Sequence, residues 1–189
     1  MKKITIYLSG GIKKGKNDEK KSCFNELIKS QIREKLKNYE IRFLDPNDAP
    51  PNLSDAKAVF GCDLLRVKLS DFVLVDAREK RGIGVGQEML FAKLNKIPVI
   101  SVAPKNSHYL RKNLEYLGQK IDEFVHPFIF GPSDAIVETF EDAANRIKDF
   151  IETPKQVKGI ECVEYAINHY KNTQSLRHKS VKEVLEEKS

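Results

Sequence analysis

The sequence has 189 residues, of which 40% are hydrophobic and 32% charged, and this balance fits a globular domain with a sizeable core. No apolar run approaches the roughly 20 residues that span a bilayer, and the short apolar stretch at the start ends in glycines, so we expect neither a membrane partner nor a signal peptide. The net charge of +6 lies mainly in residues 1–21, which hold seven lysines and two acidic residues but no arginine-rich or aromatic-rich face, so we expect no nucleic-acid partner.

The first half of the chain alternates strand-like and helix-like segments. Apolar runs that end in glycine or proline indicate strands, and apolar side chains at helical spacing indicate helices. Ser54 or Asp55 can cap the second of these helices. We predict a strand over "KITIYLSG", a helix over residues 22–36, a strand over "YEIRFLDP", a helix from 55 to about 68, and a buried strand over "DFVLVDA".

The second half continues with "RGIGVGQEM", a segment with three alternating glycines. We predict a helix that begins near Gly86, a buried strand over "IPVISVAP", an irregular stretch over residues 104–122 and a last, shorter strand over "FVHPFIF". Ser133 or Asp134 then caps an amphipathic helix through Ile151. This order predicts an α/β fold with a doubly wound, five-stranded parallel sheet.

Residues 152–189 differ from the rest, because two thin apolar stripes at helical spacing are set among charged residues. We predict an α/β domain over residues 1–151 that binds and acts on its ligand, followed by a helical C-terminal extension over residues 152–189. The extension packs either on the domain or on a second subunit. The three cysteines, Cys23, Cys62 and Cys162, offer neither a disulfide framework nor a metal-binding pair, and this favours the cytoplasm.

The carboxyl ends of parallel strands predict where a ligand binds. The first strand ends at Tyr7 and Ser9, and "DFVLVDA" leads into the glycine segment, so Glu88 should lie near both. The glycines match neither GxGxxG nor a Walker loop, but they supply backbone N–H groups and allow close approach of a ligand. Glu88 is either a catalytic carboxylate or a residue that merely suits the positive end of a helix.

Other acidic residues and one histidine also have two interpretations each. Asp63 lies in mid-helix, where aspartate has poor propensity, so its side chain faces either solvent or the site. Asp45 either lines the pocket or forms an Asx turn before Pro46. His126 precedes a proline, and we interpret it as a packed or turn residue.

Three motifs in order, "IYLSGG", "CDLLRVKLSDFVLVD" and "GIGVGQEMLFAKLNKIPVI", resemble the nucleoside 2-deoxyribosyltransferase family, which includes related nucleotide N-glycoside hydrolases. The resemblance covers about residues 4–103 and implies a flavodoxin-like fold. It implies that Glu88 attacks the anomeric carbon, that Tyr7 orients this carboxylate and that Asp63 protonates the leaving base. It also implies a homo-oligomer that acts on a small nucleoside or nucleotide without a metal or redox cofactor.

One position departs from the family pattern, because Gly82 stands where the transferases have aspartate and the hydrolases tend to have serine. The basic first loop, "SGGIKKGK", favours a 5′-phosphate on the substrate, although a merely solvated loop explains its lysines equally well. The chemistry predicted is hydrolysis or base exchange at the N-glycosidic bond of a nucleoside 5′-monophosphate or nucleoside. The alternative is a non-catalytic nucleotide-sensing module. The predicted substrate-binding residues are Ser9, Gly10, Gly11, Asp45, Gly82, Gly84 and Gly86, with Lys13, Lys14, Arg78, Lys80 and Arg81 as further sources of charge.

Overall fold

The computed structural model describes residues 1–11, 24–48, 51–153 and 155–188. The strands are β1 Lys2–Ser9, β2 Tyr39–Leu44, β3 Phe72–Asp76, β4 Val99–Val102, β5 Leu110–Tyr116, β6 Gln119–Val125 and β7 Ala135–Val137. The helices are α1 Glu26–Lys35, α2 Ala56–Lys68, α3 Ile83–Leu94, α4 Pro127–Phe130, α5 Phe140–Glu152, α6 Glu161–Thr173 and α7 Lys179–Glu187, with a 3₁₀ turn at Ser175–Arg177.

Five parallel strands form the central sheet in the order β2-β1-β3-β4-β7, which is the flavodoxin-like arrangement. The predicted fold class is therefore confirmed. Strand order reverses between β1 and β3, where Ser9 pairs with Val75 at the carboxyl ends of both strands. Ligands bind at such a reversal point in open α/β sheets.

Alternation along β1 decides which residues reach which layer of helices. Ile6 and Leu8 belong to the core beneath α1 and α5. Tyr7 points the other way, into the core that includes Val67 of α2 and Met89 of α3. Because Ser9 is two residues beyond Tyr7, it lies on that same face of the sheet.

Local sequence signals account for the boundaries predicted correctly. All five residues of β3 are buried, as expected for a central parallel strand covered on both faces. The Asp55 side chain caps α2 by accepting a hydrogen bond from the Ala58 N–H at 2.9 Å. α1 begins at Glu26 behind an Asn25 cap, and Ser22 and Cys23, where we predicted its start, lie outside the described residues.

The region between β4 and α5 corrects three predictions. The stretch over 104–122 is not irregular, because β5 and β6 form an antiparallel hairpin there. "FVHPFIF" is not the last strand: it ends β6 and continues as α4, since proline suits the first turn of a helix. The fifth strand is β7, inside the segment that we predicted as helix. Thr139 caps α5 by accepting a hydrogen bond from the Asp142 N–H at 3.0 Å, so that helix begins at Phe140.

α3 begins about three residues earlier than the pattern predicts. Its first residue is Ile83, with Gly82 at the N-cap, so Gly84 and Gly86 are helical. Glu88 is therefore the sixth residue of α3 and lies in its second turn, which corrects our prediction of a start near Gly86. Burial of Val85 and Met89 on the sheet outweighs the poor helix propensity of glycine.

The segment after α5 is helical, as its periodicity predicts, and it is tied to the sheet by Asp134. This carboxylate accepts hydrogen bonds from the N–H groups of Val99 and Lys158, each at 2.7 Å, and it pairs with the ammonium group of Lys93. Burial lowers the pKa of Lys93, although Asp134 acts in the opposite direction. No residue of α6 is fully buried.

The division of the chain at residue 151 stays a prediction. None of the described helices has the length and apolar character to cross a membrane.

Candidate active site

The centre of the candidate site is the carboxylate of Glu88. The hydroxyl of Ser9 donates a hydrogen bond of 2.5 Å to Glu88 Oε2. Ser9 is fully buried at the carboxyl end of β1, and Glu88 reaches it from the second turn of α3. The structure thus brings together two candidates that are 79 residues apart, at the point where strand order reverses.

Tyr7 lies beneath this contact. Its side chain is fully buried, and its hydroxyl has no hydrogen-bond partner that meets normal distance and angle limits among the residues the structure describes. Burial raises the pKa of Tyr7 far above its usual value, and the nearby charges of Glu88 and Asp63 act in the same direction. Tyr7 is therefore a neutral hydroxyl whose pKa is influenced by the charge of Glu88.

The surroundings of Glu88 make its carboxylate hard to ionise. Burial raises its pKa from 4.5 to about 7 and the charge of Asp63 acts in the same direction, whereas the Ser9 hydrogen bond and the nearby Tyr7 hydroxyl act against them. A pKa near neutrality lets a carboxyl group change protonation state under ordinary conditions, as nucleophiles and general acids or bases require.

Asp63 lies in the middle of α2. Its side chain is 22% exposed and accepts a hydrogen bond of 3.0 Å from Nη1 of Arg66, whose side chain is 16% exposed. The charge of Asp63 raises the pKa of Tyr7, and that of Arg66 lowers it. The catalytic role of Asp63 stays a prediction. Arg66 had no part in the sequence interpretation, although its spacing of three residues from Asp63 on a helix is a signal that could have revealed it.

Asp76, the last residue of β3, organises the loop between β3 and α3. It is fully buried and accepts hydrogen bonds from the backbone N–H of Arg78 at 3.0 Å and from its Nη2 at 2.8 Å. Arg81 also pairs with it, with Nη2 3.3 Å from Oδ2. Burial opposes ionisation of Asp76, but the hydrogen bonds and charges of both arginines outweigh it and lower its pKa. Arg81 directly precedes Gly82, the N-cap of α3, whereas the guanidinium of Arg78 lies over the ring of Phe140 at the start of α5, 4.8 Å from its centroid. The sequence interpretation gave Asp76 no role, although a carboxylate at the end of an otherwise apolar strand is a signal that could have revealed it.

The predicted glycines have different surroundings. Gly10 and Gly11 follow β1 and are partly exposed, next to the end of the strand that carries Ser9. Gly82, Gly84 and Gly86 have no left-handed backbone conformation, and a Cβ added to any of them meets no atom within 4 Å. Conformational need therefore does not explain these three glycines. Open space beside Gly84, four residues before Glu88 on the same helix face, is available to a ligand.

Two remaining candidates make mainly structural contacts. Asp45 is buried, accepts a hydrogen bond from the Asn47 N–H at 2.9 Å and pairs with Lys29 at 2.9 Å. Burial acts against its ionisation, but these partners outweigh burial and lower its pKa. The Asx-turn interpretation accounts for the contact with Asn47. The substrate-binding role of Asp45 stays a prediction. His126 precedes α4 and packs against Tyr109 with ring centroids 5.3 Å apart. Lys13 and Lys14 lie outside the described residues.

These features define a flavodoxin-like α/β protein with a partly buried carboxylate, hydrogen-bonded by a serine hydroxyl, at the strand-order reversal. No family model and no curated protein sequence matches the chain. A 2-desoxiribosyltransferase from Leishmania mexicana matches in structure with a TM-score of 0.53 and 16% identity, over 80% of this chain and 99% of that one. A 2-deoxyribosyltransferase from Bacillus psychrosaccharolyticus gives 0.48 and 19%, over 82% and 98%. A CMP N-glycosidase from Clostridium botulinum gives 0.42 and 14%, over 77% and 98%. At 16% identity, the likeness to the Leishmania enzyme shows a shared fold.

Proposed function

We propose that this protein cleaves the N-glycosidic bond of a nucleoside 5′-monophosphate or nucleoside, by hydrolysis or by exchange of the base, with Glu88 as nucleophile. The observation that carries this proposal is the contact of the Glu88 carboxylate with Ser9, beside the neutral hydroxyl of Tyr7. A positioned carboxylate can stabilise or trap the oxocarbenium-like state through which glycosidic bonds break. The fold shared with the Leishmania 2-desoxiribosyltransferase is consistent with this chemistry.

The reaction has two steps. In the first, ionised Glu88 bonds to C1′ of the sugar as the C1′–N bond breaks, and the base departs with the electron pair of that bond. In the second, water or another base attacks C1′ and releases the carboxylate. Ser9 holds one carboxylate oxygen, Oε2, which leaves Oε1 to meet the sugar. In this proposal Tyr7 orients the carboxylate, and Asp63 assists the departure of the base. Carboxylate chemistry of this kind requires no metal or redox cofactor.

The charge distribution favours a phosphorylated substrate. Arg81 is fixed on Asp76 directly before Gly82, the N-cap of α3, and within the described residues no side chain caps that helix. Helix N-termini and fixed guanidinium groups attract phosphate. Because Gly82 carries no side chain, contacts to the 5′ group come from backbone N–H groups of the glycines and from the basic first loop.

As part of this proposal the protein acts in the cytoplasm as a homo-oligomer.

A base-release assay tests the proposal. Wild type and Glu88→Ala are incubated with ribo- and deoxynucleosides and their monophosphates, with and without an acceptor base. We expect release by wild type and a loss of about 10³-fold or more in Glu88→Ala, because removal of a nucleophile abolishes most of the rate enhancement. Glu115→Ala, which changes an exposed glutamate of the hairpin, is the matched control and should keep full activity.

Each outcome of this assay has one meaning. Release without an acceptor indicates hydrolysis, whereas release only with an acceptor indicates transfer. Undiminished activity in Glu88→Ala removes the nucleophile assignment. If wild type binds monophosphates in calorimetry but releases no base from any substrate, the protein is a nucleotide-sensing module of the same fold.

A further inference from the structure

Phe60 is an exposed aromatic residue on the inward side of α2. Phe60, Asp63 and Val67 follow one another at spacings of three and four residues, so their side chains project from the same side of the helix. Val67 is fully buried in the core that also contains Tyr7, which identifies this side as the one turned toward the sheet. Phe60 is nevertheless 58% exposed. A phenylalanine packed on the sheet would be largely buried, so Phe60 faces open space beyond it.

The direction of α2 brings Phe60 toward the carboxyl ends of the strands. The helix connects β2 to β3, two strands of one parallel sheet, so it runs antiparallel to them and its first turns lie nearest their carboxyl ends. A backbone hydrogen bond fixes the level of its other end. The N–H of Asp71, just after the helix, donates to the carbonyl of Thr5 in β1 at 2.8 Å.

Two lengths then locate Phe60 along the sheet. From Leu69, the C-cap of α2, back to Phe60 the helix rises by about 14 Å. From Thr5 to Ser9 the strand rises by about 13 Å. Phe60 is therefore about level with Ser9, whose hydroxyl donates a hydrogen bond to Glu88. Because Ser9 and α2 also lie on the same face of the sheet, Phe60 borders the space beside the Glu88 carboxylate.

The geometry of glycosidic cleavage decides what enters this space. A nucleophile attacks C1′ from the side opposite the departing base, so a base whose sugar meets Glu88 lies on the far side of C1′ from α3. α2 packs beside α3, and Phe60 projects from it at the level of the carboxylate. A nucleobase is a planar aromatic ring, and such a ring stacks well on the side chain of a phenylalanine.

We infer that Phe60 stacks on the base of the bound nucleoside or nucleotide and is a binding residue for that base. This inference rests on the proposed function, from which it takes the ligand. In this arrangement Phe60 covers the face of the ring, and Asp63, one helical turn further along, meets its edge. Every base has an aromatic face, so stacking on Phe60 adds affinity for any base. Discrimination among bases then depends on polar contacts at the ring edge.

The kinetic test compares wild type with Phe60→Ala, Phe60→Leu and Phe60→Tyr in the base-release assay. We expect Phe60→Ala to raise KM about tenfold or more, in line with the loss of one stacked base, and to change kcat by less than about threefold. Phe60→Leu keeps an apolar side chain without a ring and should lose most of this affinity, whereas Phe60→Tyr should keep it. Leu65→Ala, on the opposite side of α2 and 54% exposed, is the matched control and should behave as wild type.

A tryptophan probe tests the contact without turnover. The chain contains no tryptophan, so Phe60→Trp in a Glu88→Ala background introduces a single indole at this position. We expect nucleosides or their 5′-monophosphates to quench its fluorescence saturably. Ribose 5-phosphate and deoxyribose 5-phosphate, which have no base, should leave it unchanged. Leu65→Trp in the same background should respond to none of these compounds.

The outcomes separate stacking from other roles of Phe60. An unchanged KM in Phe60→Ala overturns the inference, and so does an unchanged KM in Phe60→Leu, because an apolar side chain would then suffice. Equal weakening of ribose 5-phosphate and nucleotide binding in Phe60→Ala, or a change in its sedimentation coefficient alone, also overturns it, because Phe60 would then be a packing or subunit-contact residue.

The same measurements separate this inference from the proposed function. Quenching of Phe60→Trp by nucleotides, with no base release by wild type, contradicts the proposed reaction and leaves the base contact standing. Base release by wild type that requires Glu88, with no such quenching, contradicts the inference alone. Absence of both quenching and base release contradicts both.

Discussion

The two faces of α3 have opposite chemical character. One face carries Gly84 and Glu88 and turns a carboxylate toward the buried hydroxyl of Ser9. The other carries Ile83, Gly86 and Leu90 and forms one wall of an apolar groove of about 690 Å³. α4 and α6 supply the remaining walls of the groove.

The faces depart from ordinary folding energetics in opposite directions. On the Glu88 face, burial makes ionisation of a carboxylate unfavourable and raises its pKa to about 7. On the groove face, apolar side chains remain in water, with Ile83 83% exposed and Phe128 77% exposed. A helix stabilised only by packing would bury its apolar residues and expose its charges. The contrast teaches that "RGIGVGQEM" serves two separate surfaces, and it predicts which substitutions affect chemistry and which affect only stability.

The largest expected effect is the dependence of base release on pH. Glu88 must be ionised to act as nucleophile, and its pKa is raised to about 7. Below this pH, kcat/KM should fall roughly tenfold for each pH unit, reaching about a hundredfold loss at pH 5. The measurement is a profile of kcat/KM from pH 5 to 8.5, with circular dichroism at each pH to verify that the chain stays folded. A flat profile over this range would contradict the ionisation assigned to Glu88.

The next largest effect is on stability. Between about pH 4.5 and pH 7 the folded chain keeps a proton on Glu88 that the unfolded chain has released. The free energy of unfolding therefore falls as pH rises through this window and stays lower above it. Glu88→Gln removes this loss, so the variant should be more stable than wild type by roughly 2–3 kcal/mol at pH 8 and equally stable near pH 4.

Urea unfolding at pH 4, 6 and 8 measures this difference. Glu115→Gln, an exposed site on the hairpin, should show no pH-dependent difference from wild type. If Glu88→Gln is destabilised equally at all three pH values, the buried carboxylate is a structural residue, and the contrast between the two faces of α3 loses its electrostatic basis.

The sequence interpretation was accurate where local residues determine an element and failed where long-range packing determines it. β1, β3 and β4 were predictable because each is a short apolar run, and the start of α2 because Asp55 caps it locally. β7 was missed because three residues are too few to show alternation. The hairpin was missed because most of its residues are exposed, so neither strand has a periodic apolar face.

The candidate site also has features that the sequence predicts and features that it does not. The strand-end rule predicts that Tyr7 and Glu88 lie near each other, because it depends only on the order of strands. It does not predict that the Ser9 hydroxyl reaches Glu88, or that Asp76 holds Arg78, because such contacts depend on side-chain conformations fixed by tertiary packing. Residue types alone also misplaced Gly84 in a loop before α3, since burial of the opposite side of the helix outweighs the poor helix propensity of glycine.

The smallest effect, and the sharpest comparison of the two faces, comes from Gly84→Ala and Gly86→Ala. Both glycines are helical, and an added Cβ meets no atom within 4 Å in either case. Each substitution should therefore raise the free energy of unfolding by about 0.5–1 kcal/mol, because alanine loses less conformational entropy in a helix. Gly84 shares a helix face with Glu88, so its new methyl group occupies space where the sugar approaches and should slow base release several-fold. Gly86 borders the groove, so Gly86→Ala should gain the same stability at full activity. Equal loss of activity in both variants would mean that the glycines act through the helix as a whole and that its two faces are not functionally separate.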